Sequence, residues 1–142
     1  VLRHFEWQHY VPSLYGAAVM VTPALLRDQP STVAGLVRAV NRGVVDTVAD
    51  IEAAVDAVVR RNPSMDRVAN RERLAGTLAL EMAHEEGSVL GVGAIDMARL
   101  AQTVDLMTRA KQLALPPSPE RLFDDRFLPP SSKRVRSLSS AR

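Results

Sequence analysis

The sequence contains no cysteine, which excludes disulfides and thiolate metal sites and leaves the redox compartment open. It also lacks any uninterrupted apolar run of about 18 residues, so no stretch is long enough to cross a bilayer as a helix. The start, Val1-Leu2-Arg3-His4, shows neither an initiator methionine nor a charged-then-apolar signal segment, and the natural start is expected upstream. Aromatic residues make up only 4% of the chain, too few to spread stacking platforms along a nucleic-acid surface. What remains is an ordinary globular composition, 142 residues with 46% hydrophobic and 24% charged residues, enough for one core and too short to expect two.

The basic pI of about 9.5 comes from one place. Residues 131–142 hold Lys133, Arg134, Arg136 and Arg142 and no acid, so removing their +4 from the chain's net +2 leaves residues 1–130 at −2. This Ser/Arg-rich end has little apolar content, and it is expected to be a disordered basic tail rather than a nucleic-acid arm.

The scarce aromatics are concentrated. Phe5, Trp7, Tyr10 and Tyr15 all lie just ahead of the run Ala17–Thr22, which is small or apolar at nearly every position. An all-apolar run reads as a strand covered on both faces and paired on at least one edge. Downstream the period is helical. Val33, Leu36, Val37, Val40, Val44 and Val48 share one face of a helix over 31–49, with Ser31 as candidate N-cap. A second helix starts from an Asp50 cap and carries Ile51, Ala54, Val55, Val58 and Val59 before "RRNP" ends it. A third spans 66–84, a fourth 96–113, and "PPSPERLF" holds a break and one helical turn. One buried strand with four main helices predicts an α/β chain whose sheet partners lie outside it or in a second copy.

The most site-like stretch is "HEEGSVLGVGAID", residues 84–96. His84-Glu85 opens like a zinc helix, but the second histidine would stand at 88, which is Ser. Gly91-Val92-Gly93 opens like a dinucleotide loop, but the third glycine would stand at 96, which is Asp, an ordinary helix N-cap. Ser88 has no G-x-S-x-G context, and His4, Glu6 and His9 read as surface or hinge contacts. No catalytic residue, metal site or cofactor is therefore expected. Trp and Tyr, with a flat apolar face and a hydrogen-bonding edge, suit a ring-bearing ligand; the other reading is that these aromatics plug the entrance of the strand as core.

The segments "FEWQHYVPSLYGAAVMVTPALLRDQPSTVAGLVRAV", "DIEAAVDAVVRRNPSMD", "GVGAIDMARLAQTVDLM" and "PPSPERLFDDRFLP" resemble the C-terminal part of ABC-transporter solute-binding proteins of the nitrate/sulfonate/taurine and thiamine-pyrimidine-precursor class. The resemblance covers residues 5–130. Its most specific pieces are Tyr15-Gly16, the Asn-Pro at 62–63, the G-x-G-x-x-D at 91–96 and the Phe-Leu-Pro at 127–129. It implies the C-terminal portion of a type II periplasmic binding protein fold, with 1–16 as an inter-lobe crossover, 17–130 as part of the first lobe and 131–142 as the tail. It further implies a non-enzymatic, periplasmic or extracytoplasmic receptor that hands a small organic solute to permease subunits in the membrane. Trp7, Tyr10 and Tyr15 match the aromatic positions ahead of the returning strand and become the candidate ligand-binding residues. A fold-sharing thiamine-pyrimidine synthase and a helical interaction module are the alternatives. With its sheet partners missing, the chain is also expected to self-associate.

Overall fold

A computed structural model describes residues 3, 5, 7–81 and 85–137. Their regular structure is helical: α1 (Trp7–Tyr10), α2 (Pro23–Asp28), α3 (Pro30–Ala49), α4 (Ile51–Arg61), α5 (Arg67–Gly76, running on into a π-helical turn at Thr77–Glu81), α6 (Glu85–Leu90), α7 (Met97–Lys111) and α8 (Pro119–Leu122), followed by 3₁₀ turns at Asp125–Phe127 and Ser131–Lys133. There is no strand among the described residues. The expected α/β architecture, the C-terminal portion of a type II periplasmic binding protein fold, is thus overturned. Ala17–Thr22, the expected buried strand, is an irregular connection with Val19 54% and Met20 88% exposed. The reason is that a strand persists only with a ladder partner and two covered faces, and every other periodic segment here is committed to helix.

The helices begin where local chemistry dictates. Asp50, Asp66 and Asp96 each accept from the backbone N–H three residues on, at 2.9, 2.7 and 2.9 Å, satisfying one of the free amides of a first turn. Thr22 does the same for α2. Ser31 is not the cap of α3. That helix starts one residue earlier, with Pro30 inside its first turn and Gln29 as N-cap, because proline's fixed φ is already helical and its missing N–H is not needed there. Gln112, at φ 50°, ends α7 in the left-handed region.

The chain divides into two compact units. One comprises Val1–Ala18 with Ile95–Asp125, the other Val19–Ala94 with Arg126–Arg142. The expected 17–130 body is therefore split, its residues 95–125 grouping with the first eighteen. In the larger unit α4 packs on α5 and on α3, and α3 on α2. Its buried apolar side chains are Val33, Ile51, Val55 and Leu78. Leu36 and Val40, on the apolar face predicted for α3, remain exposed.

Residues 131–137 are not an unpacked tail. The Val92 N–H donates to the Val135 carbonyl at 2.8 Å, and Arg134 donates from Nε to the Pro129 carbonyl at 2.7 Å and from Nη1 to the Leu90 carbonyl at 3.2 Å. Hydrogen bonds and the arginine stem order this segment where apolar burial does not. Residues 138–142, the rest of the expected tail, lie outside the described residues.

Between α4 and α5 an ion network stands in for a wider apolar seam. Glu52 pairs with Arg67 at 2.8 Å and with Arg71, and Arg67 also pairs with Asp56 at 2.9 Å. Hydrogen bonds from Arg71 and then Arg67 hold the Glu52 carboxyl below the ordinary glutamate range, and Asp56 and then Glu52 raise Arg67. A carboxylate whose pKa is depressed on folding contributes stability above its unfolded pKa and loses it as pH falls through the folded one. Melting temperature is therefore expected to fall on acidification through and below the glutamate range, and Glu52→Gln to flatten that slope. An unchanged slope in the variant would remove Glu52 from the account.

Candidate functional site

In the smaller unit the aromatic-rich segment is fixed from below by α7. Asp96 caps that helix with its carboxylate, and its backbone N–H donates to the Tyr15 hydroxyl at 2.9 Å. One turn on, Arg99 lies under the Tyr15 ring, its Cζ 4.7 Å from the ring centroid, close enough for a cation–π contact. The same guanidinium reaches three successive carbonyls, with Nη2 donating to Pro12 at 2.6 Å and to Leu14 at 3.4 Å, and Nε to Ser13 at 3.4 Å. The Thr103 hydroxyl also donates to the Ser13 carbonyl. A planar five-donor group can hold a turn of backbone this way, whereas a lysine would supply one centre.

This arrangement divides the three predicted ligand-binding residues. Tyr15 is half-buried, and its hydroxyl and ring are committed to Asp96 and Arg99, so it anchors the segment. Trp7 and Tyr10 stand at the two ends of α1, three residues apart and so on one helical face, and they are 76% and 67% exposed. Phe5 is 65% exposed just ahead of them. The Val11 and Leu14 N–H groups donate to the Trp7 and Val11 carbonyls at 2.8 and 3.2 Å, linking the aromatic turn to the stretch that Arg99 holds. Free aromatic faces on a tied-down turn can stack a planar or apolar solute.

Arg99 and Thr103 carry no sequence signal. The carbonyls of residues 12–14 that they hold are more than eighty positions away, and only the fold brings these together. Asp96 was legible, and so is the test of its role. Asp96→Asn retains an acceptor and is expected to be nearly silent, while Asp96→Ala is expected to cost about 0.5 to 2 kcal/mol; equal, large losses by chemical denaturation in both would instead assign a role to the charge.

The glycines of 91–96 are structural. Gly91 and Gly93 sit at φ 80° and 92°, Gly91 just past the end of α6, the usual place for a left-handed glycine. Residues 85–90 of the site-like stretch 84–96 form the helix α6. His4, Glu6 and His84 lie outside the described residues, and among the described ones no group of histidines and carboxylates could hold a metal ion. No described helix is long and apolar enough to cross a membrane. Compared with protein-family models, curated proteins and solved structures, the chain matches none of them.

Proposed function

We propose that this chain is part of the substrate-binding component of an ABC transporter and meets a small organic solute through the aromatic face of Trp7 and Tyr10, on the extracytoplasmic side where the permease subunits receive it. One observation carries the reading: two exposed rings share one face of a turn whose continuation is clamped to α7 by Arg99. Holding the rings in place lowers the ordering cost of stacking a ligand on them. The resemblance of residues 5–130 to solute-binding proteins of the nitrate/sulfonate/taurine and thiamine-pyrimidine-precursor class supplies the solutes to be tried.

Ligand pockets usually bury about 70 to 90% of a small ligand, and two rings open to solvent contact a solute on one side. Binding by this chain alone is therefore expected to be weak, with Kd on the order of millimolar. Trp7 is the single tryptophan, so its emission reports the site without a label. Titration with taurine and with an aminopyrimidine, against sodium chloride at equal ionic strength, is expected to give a saturable shift for at least one of them, lost in Tyr10→Ala. No saturable change with either solute would sink the assignment.

A further inference from the structure

A second site stands in the larger unit, independent of the aromatic face. The C-terminal half of α3 presents Asn41, Arg42, Val45 and Asp46 towards residues 132–135, and together they line an open groove of about 560 Å³. The Asn41 side-chain amide donates to the Lys133 carbonyl at 3.3 Å and joins the two walls.

The groove is dominated by positive charge. Arg42, Lys133 and Arg134 face one acid, Asp46. Asp46 takes up only part of Arg42: both carboxylate oxygens accept from Nε, at 2.8 and 2.9 Å. This orients the guanidinium and leaves its two terminal nitrogens as donors. Arg134 is fixed by the Pro129 and Leu90 carbonyls, so its charge is held in place while its donors are partly spent. Lys133 has no acidic partner among the described residues. Ser132 adds a hydroxyl, and Val45 and Val135 add apolar wall.

We propose that this groove binds a phosphate group, carried free or on a small phosphate monoester. A dianion matches the excess charge, and the terminal nitrogens of Arg42, the Lys133 ammonium and the Ser132 hydroxyl supply donors for its oxygens. The groove is open to solvent and has a volume of about 560 Å³. It admits an organic substituent beside the phosphate, with Val45 and Val135 to receive it. A nucleic-acid backbone fits less well, because single-strand binders interleave basic residues with aromatic platforms and no aromatic side chain lines the groove.

The whole chain is to be titrated calorimetrically with inorganic phosphate, with glycerol 3-phosphate and with a short single-stranded oligonucleotide, at constant ionic strength. Saturable binding of phosphate or of the monoester is expected, weakened about five- to tenfold by Arg42→Ala and by Lys133→Ala and abolished by Lys133→Glu. Tighter binding of the monoester identifies a phosphorylated metabolite as occupant; equal or tighter binding of inorganic phosphate identifies the free ion. Both replaced residues are exposed, and unchanged far-ultraviolet circular dichroism will show that the variants fold. The proposal is overturned by absence of binding, by variants that bind like the parent, or by an oligonucleotide that binds more tightly than either phosphate.

Discussion

Leu78→Ala is expected to cost about 2 to 5 kcal/mol, the range for deleting a well-buried leucine with incomplete collapse around the space left behind. Leu78 is 2% exposed and lies in the π-helical turn that continues α5, and a close-packed interior relaxes only partly over a deleted side chain. The consequence is amplified by the thinness of the core. Only Val33, Ile51 and Val55 join Leu78 as buried apolar residues among those described. Domain stability is commonly about 5 to 15 kcal/mol, so one such loss can bring the larger unit close to unfolding at ambient temperature. Urea denaturation checks this, the expected result being a lower midpoint at unchanged slope. Met20→Ala, in the same unit but at an 88% exposed position, is expected to stay within about 0.5 kcal/mol. Equal losses at the two positions would show that Leu78 is not part of a packed core.

The second large effect is expected at Gly91. Its φ of 80° is strained for any residue with a Cβ, and a Cβ built there would stand 2.6 Å from Arg134 Cβ. That neighbour is the root of a side chain, so relief requires the 131–135 backbone to move. The Val92 to Val135 and Arg134 to Leu90 hydrogen bonds are then put at risk. Gly91→Ala is expected to cost about 2 to 4 kcal/mol, combining left-handed strain with lost hydrogen bonds. Gly93 isolates the first contribution. It has φ 92°, but its added Cβ would meet only the end of the Leu128 side chain, at 3.3 Å, so Gly93→Ala is expected to cost about 1 to 2 kcal/mol. Thermal melts of the two variants compare them directly, and equal losses would mean that Arg134 does not pack on Gly91.

Periodicity and capping chemistry were legible in the sequence because they act within a few residues. The helices over 31–49, from Asp50 to the Asn-Pro at 62–63 and over 96–113 appear within one or two residues of their predicted ends, and Asp50 and Asp96 cap as read. The departure of Gly91-Val92-Gly93 from the dinucleotide-loop pattern was also legible locally, since Asp96 stands where the third glycine would. The run Ala17–Thr22 was misread because apolar composition states only that a segment can be buried, and burial as a strand depends on partners elsewhere. The segment 131–137 was misread for the converse reason: low apolar content does not reveal that the Leu90 and Val92 backbone groups await it.

By itself, then, the sequence determined where most helices start and stop and where the aromatic residues gather, and its lack of cysteine excluded disulfides and thiolate ligands. Tertiary structure alone decided that Tyr15 serves as an anchor while Trp7 and Tyr10 stay open, that Arg99 grips three carbonyls, and that Lys133 comes to face Arg42. Those outcomes rest on contacts between residues some eighty to ninety positions apart, and the sequence signals for caps and periodicity extend only over a turn or two of helix.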